Sequence, residues 1–170
     1  MGNDLHDERD YSAIDLRDAS EYPLDVRHTS LAELPCPIAR TLDVVGEWWT
    51  LLIVRDALLG IRRFDDFKQT GIADNILAAR LKMLTEEGIL ERRQYQARPD
   101  RYEYLLTDKG TALAPVIAAL RSWGRAWTTG EDRSPRLVHK ACGHEGSAGL
   151  HCEHCGGSLT AEELALAPSG

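Results

Sequence analysis

The stretch GIADNILAARLKMLTEEGILERRQYQARPDRYEYLL, residues 71–106, decides how the rest of the chain is read. From Asp74 onward, Ile76, Leu77, Leu81 and Leu84 recur at helical spacing, which puts Asn75, Ala79, Arg80 and Lys82 on the expected solvent face. That face is small, polar and basic. Gly88 stops the helix. Ile89–Tyr95 and Arg101–Leu106 then have the aromatic and alternating composition of strands, joined by a turn holding Pro99 and Asp100.

Working outward, Pro37 suits the first turn of a helix carrying Ile38, Leu42 and Val45, which Gly46 ends. A second helix follows from Trp48 to Leu59, apolar on nearly every side; it is expected to be the most buried element, with Trp48 and Trp49 in the core. Arg62–Lys68 reads as a short helix with Phe64 and Phe67 at i, i+3, and Gln69–Ile72 as a tight connection containing a glycine. Two short helices across such a turn make a helix-turn-helix, whose second helix enters the major groove. After the hairpin, Thr107 is an N-cap for a last helix through Leu113, Val116, Ile117, Leu120, Trp123 and Trp127, with Pro115 bending it or delaying its start.

The fold class expected is therefore mainly α with a small β-hairpin, a winged helix-turn-helix. Residues 36–127 resemble the HxlR-type transcriptional regulators, which are related to the MarR-like winged-helix proteins. The resemblance is carried by CPIARTLDVVG at 36–46, WTLLIVRD at 49–56, RRF at 62–64, NILAARL at 75–81 and YEYLLT at 102–107. It implies a homodimer formed through the first and last helices and bound to pseudo-palindromic operator DNA. Ala73-Asp74 departs from the family pattern, and the acid there is expected to cap the helix rather than meet phosphate.

Physical reasoning divides the labour among the cations. Asn75, Arg80 and Ala79 are the candidates for base edges, since Asn pairs bidentately with adenine and Arg with guanine, at about 1–3 kcal/mol of discrimination each. Lys82, Arg62, Arg63 and Lys68 are placed for phosphate. Arg98 and Arg101 sit at the hairpin tip for phosphate or the minor groove, with Arg92 and Arg93 behind them.

The net charge of −7 over 170 residues does not oppose this reading. Residues 1–35 hold nine acids and three bases, 36–127 twelve and fourteen, and 128–170 six and three, giving −6, +2 and −3. The acidity is in the tails. Residues 1–33 read as an acidic, mostly disordered arm, 34–128 as the DNA-binding and dimerisation domain, and 129–170 as a small module. No apolar run reaches the roughly 18 residues of a membrane span and no signal peptide is legible, so a cytoplasmic protein is expected.

That last module carries His139-x2-Cys142-Gly143 and Cys152-x2-Cys155-Gly156, two knuckles of ligand-x2-Cys-Gly form. A glycine after the second ligand relieves the turn that lets backbone amides face thiolate sulfur. The spacing points to structural Zn2+ held by His139, Cys142, Cys152 and Cys155, a zinc-ribbon-like unit whose four ligands leave no open position for catalysis. His144, His151 or His154 could replace His139, and a disulfide or a redox pair would use the same thiols. Cys36 stands apart at the start of the first helix. The resemblance implies an oxidant or electrophile sensor there, and helix N-termini favour anions, thiolates among them; the alternative is a small residue at the dimer seam.

No nucleophile with a paired base, phosphate loop or carboxylate pair is present, so an enzyme is not expected. The reading is a sequence-specific DNA-binding regulator, with a small-molecule or oxidant effector left open. The alternative is a winged-helix and zinc-ribbon module for protein contacts without specific DNA readout.

Overall fold

The structure is a computed structural model that describes residues 30–131, 134–135, 138–144, 146, 149–160, 162 and 164. The arm expected over residues 1–33 lies outside it except for Ser30–Glu33. The chain divides into two compact units, one spanning 30–148 and a second that includes 149–170.

In the first unit the order is α1 (Pro37–Val45), α2 (Trp48–Leu58), α3 (Phe64–Phe67), α4 (Asp74–Glu86), β1 (Leu90–Ala97), β2 (Asp100–Leu106), α5 (Asp108–Thr111) and α6 (Ala114–Trp127). Pro37 occupies the first turn of α1, where its missing amide hydrogen costs nothing. Ser30 donates its hydroxyl to Asp43, and the Leu31 amide donates to the same carboxylate at 2.7 Å, so order begins before α1. Glu47 caps α2 by accepting the Trp49 amide at 3.0 Å. A 3₁₀ turn over Lys68–Thr70 and Gly71, with φ +85°, reverse the chain between α3 and α4.

The core is Val45, Ile53, Val54, Phe67, Ile72, Leu77, Leu81, Leu84, Ile89 and Leu90. Leu77, Leu81 and Leu84 of α4 are wholly buried, each worth about 1.5–3 kcal/mol of apolar burial. They hold one face of α4 inward and thereby fix which face points out. β1 and β2 pair antiparallel, Arg92 opposite Tyr104 and Arg93 opposite Glu103, with a bulge at Tyr95. A short third edge joins them: the Tyr104 amide donates to the Arg62 carbonyl at 2.7 Å, and Arg63 bridges Glu103. Arg62 and Arg63 thus belong to the sheet edge, not to the short helix expected from 62–68.

Thr107 caps α5 by accepting the Gly110 amide at 3.1 Å, and its hydroxyl donates to the Gly88 carbonyl at 2.6 Å. The final helix begins late, at Ala114, with Pro115 in its first turn. Ile38 and Leu42 of α1 and much of the α6 stripe face solvent, and Trp48, expected in the core, does so too. Trp48 is 82% exposed, Ile38 67% and Trp123 61%, and Leu42, Val116, Leu120 and Trp127 are exposed with them. Trp49 alone of the pair Trp48–Trp49 packs on the core. Ile76, expected inside, is also exposed, because the α4 residues turned into the core are Leu77, Leu81 and Leu84.

Of the second unit, Leu150–Leu159 form a small reverse turn. The Leu159 amide donates to the Leu150 carbonyl at 2.8 Å, and His151 bridges Ser158.

Candidate nucleic-acid interface

The inward pull on Leu77, Leu81 and Leu84 leaves Asp74, Asn75, Ala78, Ala79 and Lys82 exposed along α4. Ala78 was not among the expected contacts. It lies one turn beyond Asn75, where a small residue lets a helix approach a groove. Ala78 and Lys82 share a groove with Phe64, Thr85, Glu86, Arg92 and Tyr104, which places the α4 face beside the hairpin.

The ion pairs decide which cations are available to a polyanion. Lys68 Nζ sits 2.9 Å from Asp74, and this hydrogen bond, with the attraction of the carboxylate, raises the Lys68 pKa above its ordinary value. Asp74 therefore does not cap α4. It stands one residue inside the helix, Ala73 is the N-cap and makes no side-chain bond, and the carboxylate goes to Lys68 instead. Lys82 lies 3.7 Å from Glu86 on an exposed helix surface, a pair worth a few tenths of a kcal/mol that phosphate can displace.

Arg80 differs in kind. Expected toward solvent, it is half-buried, with Nε 3.1 Å from Glu47 Oε2, and that Nε is shielded from solvent without making a hydrogen bond. The side chain that caps α2 is also the counter-ion of Arg80 on α4. Sequence spacing alone could not show this, since the partner is 33 positions away.

On the hairpin, Arg93 donates twice to Glu103, at 2.6 and 2.9 Å, and is neutralised there. Arg92 lies over the Tyr102 ring at 3.5 Å from its centroid and Arg63 over Tyr95 at 4.8 Å, contacts that orient the guanidinium groups without cancelling their charge. Arg62, Arg98 and Arg101 are exposed and have no ion-pair partner among the described residues. The Gln96 side chain donates to the Arg98 carbonyl at 3.0 Å, and Gln94 to Asp100 at 2.9 Å, shaping the tip that carries them.

Cys36 is the half-buried N-cap of α1, and its side chain makes no capping bond. The knuckle residues fall in the two units and are described in each. In the first, His139 Nδ1 is 3.3 Å from Cys142 Sγ. In the second, the amides of Cys155 and then His154 donate toward Cys152 and hold its thiol below the ordinary range. Among the described residues no three His, Cys, Asp or Glu side chains stand together as a ready metal cluster.

A helix-turn-helix followed by a two-stranded wing, with the second helix uncovered and cations at the wing tip, defines the winged helix-turn-helix class of DNA-binding proteins. The profile of the HxlR-like helix-turn-helix family matches residues 44–132, and the chain belongs to that family. It is 39% identical over 133 residues to the uncharacterized HTH-type transcriptional regulator Rv3095 of Mycobacterium tuberculosis strain H37Rv, covering 77% of this chain and 84% of that protein. Among solved structures, it resembles PA1607, assigned provisionally as a transcription factor, at 40% identity and a TM-score of 0.71, over 83% of this chain and all of that one. The redox regulator HypR in its reduced form matches at 31% identity and a TM-score of 0.51, over 54% of this chain and 92% of that one. HypR has also been solved in an oxidized form. The family is one of HTH-type transcriptional regulators, and no described helix is long and apolar enough to cross a membrane.

Proposed function

We propose that the chain acts as a homodimer that lays α4 in the major groove of each half of an inverted-repeat operator, with the wing tip on the flanking backbone. The observation that carries this is the outward face of α4, Asn75, Ala78, Ala79 and Lys82, uncovered beside a wing tip whose Arg98 and Arg101 have no ion-pair partner among the described residues. Asn75 supplies the bidentate contact to adenine, and Ala78 and Ala79 suit a thymine methyl. Lys82, Lys68, Arg62, Arg63, Arg98 and Arg101 serve the backbone. Arg80 acts first as a strut to Glu47 and reads a base only if that pair opens.

Dimerisation through α1 and α6 is supported by the apolar side chains both helices leave in water, Ile38 and Leu42 on one, Val116, Leu120, Trp123 and Trp127 on the other. The likeness to HypR supports oxidant sensing at Cys36, the cap of α1; diamide should then alter DNA binding by the wild type and leave Cys36→Ser unaffected.

The direct test is selection of bound sequences from a random duplex pool at near-physiological salt. An enriched inverted repeat with half-sites about 34 Å apart, one helical turn, is expected. Absence of enrichment under both reducing and oxidising conditions would replace this reading with the protein-contact module.

A further inference from the structure

One cavity of the unit spanning 30–148 takes no part in the DNA contacts proposed for α4 and the wing. Its floor is apolar: Val45 and Ile89 belong to the buried core, and Val44 and Leu113 pack against it. Its exposed rim carries Arg40 and Thr41 from α1 and Lys109 from α5. No described acid lines it, in a chain whose net charge is −7. The volume is about 340 Å³, at the lower end of the roughly 300–1,000 Å³ of small-molecule sites.

Helical spacing sorts α1 into two stripes. Ile38 and Leu42 form the exposed stripe assigned to the dimer seam, whereas Pro37, Thr41 and Val44, at i, i+4 and i+7, turn to the cavity. The two stripes lie side by side on one helix. Arg40 has no ion-pair partner among the described residues. Lys109 is tethered: its Nζ donates to the Glu87 carbonyl at 2.6 Å and lies 3.7 Å from the Glu87 carboxylate. Glu87 is the C-cap residue of α4, so one cation of the cavity is tied to the end of the helix that faces the groove. The charge pair within that tether is exposed, and an exposed pair is weak enough for another anion to compete with it.

This combination selects a ligand chemistry. A bare inorganic anion gains nothing from the apolar floor, a hydrocarbon gains nothing from Arg40, and an amine is repelled by both cations. We propose that the cavity binds a small carboxylic acid with an apolar body, the body on Val44, Val45, Ile89 and Leu113 and the carboxylate on Arg40 and Lys109. Arg40 offers its planar fork and Lys109 a point charge. The bound carboxylate draws Lys109 away from Glu87, and occupancy thereby changes operator affinity. This regulatory half rests on the operator reading, and the binding half does not.

The test follows backbone amide resonances of the full chain during titration with 3-phenylpropionate, its neutral amide and 3-phenylpropylamine. Saturable shifts are expected with the acid at residues 40–45, 89, 109 and 113, with affinity at least about tenfold weaker for the amide and no binding of the amine. Arg40→Glu should weaken acid binding by at least about tenfold, and Thr41→Trp should block it. Both positions are exposed, so the spectra of the two variants should stay as dispersed as that of the wild type. Equal binding of acid and amide, or undiminished binding by Arg40→Glu, would overturn the proposal. Acid binding that weakens as protein concentration rises would also overturn it, by giving the cavity to a second copy. On the selected operator, saturating acid should change affinity about fivefold or more, and Lys109→Met should shrink that change. Unaltered operator affinity with acid binding intact would overturn the regulatory half alone. Acid binding is read without DNA, so it stands or falls separately from the operator reading.

Discussion

Glu47→Ala removes two functions with one side chain. As the cap of α2 it accepts the Trp49 amide, and losing such a cap costs about 1 kcal/mol. As the counter-ion of Arg80 it sits in a pair in which both side chains are about 30% exposed; screened at that exposure, the pair contributes no more than about 1 kcal/mol. The total, about 2 kcal/mol, should lower the melting temperature by roughly 10 °C in a domain of this size. Arg80→Ala should cost only the pair, and the double variant Glu47→Ala/Arg80→Ala should return a coupling of about 0.5–1 kcal/mol. Thermal unfolding of the three proteins measures this. Binding of the selected operator and of random duplex, followed in parallel, should weaken together in Arg80→Ala. If instead Glu47→Ala melts with the wild type, the coupling is zero, and Arg80→Ala loses about 1–3 kcal/mol of discrimination at one base pair, Arg80 faces the groove and the strut reading fails.

Arg101→Ala should weaken binding to every duplex alike and reduce the slope of log affinity against log salt by about one, measured by fluorescence anisotropy; a sequence-dependent loss would make it a base contact instead. Leu120→Ser with Trp123→Ser should weaken self-association at least about 30-fold in sedimentation experiments while leaving helical content intact, since both side chains are exposed on the protomer. Gly110→Ala should destabilise by about 1–3 kcal/mol in chemical denaturation, because the new methyl would meet the Ile89 carbonyl and lie 2.8 Å from Leu106 Cδ2. Asn75→Ala should preserve stability and lose preference at an adenine in the selected repeat.

What could be read from the residues followed their range. Helix periodicity, Pro37, Gly71, Gly88 and Thr107 are local signals, and the helices, the turn and the hairpin stand where those residues put them. Periodicity names a stripe but not what covers it, so Trp48 and Ile76 were assigned inward while the structure leaves them in water. The Arg80–Glu47 pair and the Arg62–Tyr104 hydrogen bond join positions far apart in the chain, and no local pattern encodes either. Asp74 was assigned to a cap because acids are common at helix starts; the nearby Lys68 competed for the same carboxylate and holds it. The two glycine knuckles were legible as a spacing, whereas their matched hydrogen bonds needed coordinates.

The backbone bond from Tyr104 to Arg62 stitches the wing to the chain that enters the helix-turn-helix, while α3 and α4 pack against the same hairpin. Helix and wing are therefore a single casting, and they cannot be re-spaced against each other without tearing a sheet edge. In the dimer proposed above, tolerance for operators of different spacing would have to lie at the seam between the two copies rather than in the reading head.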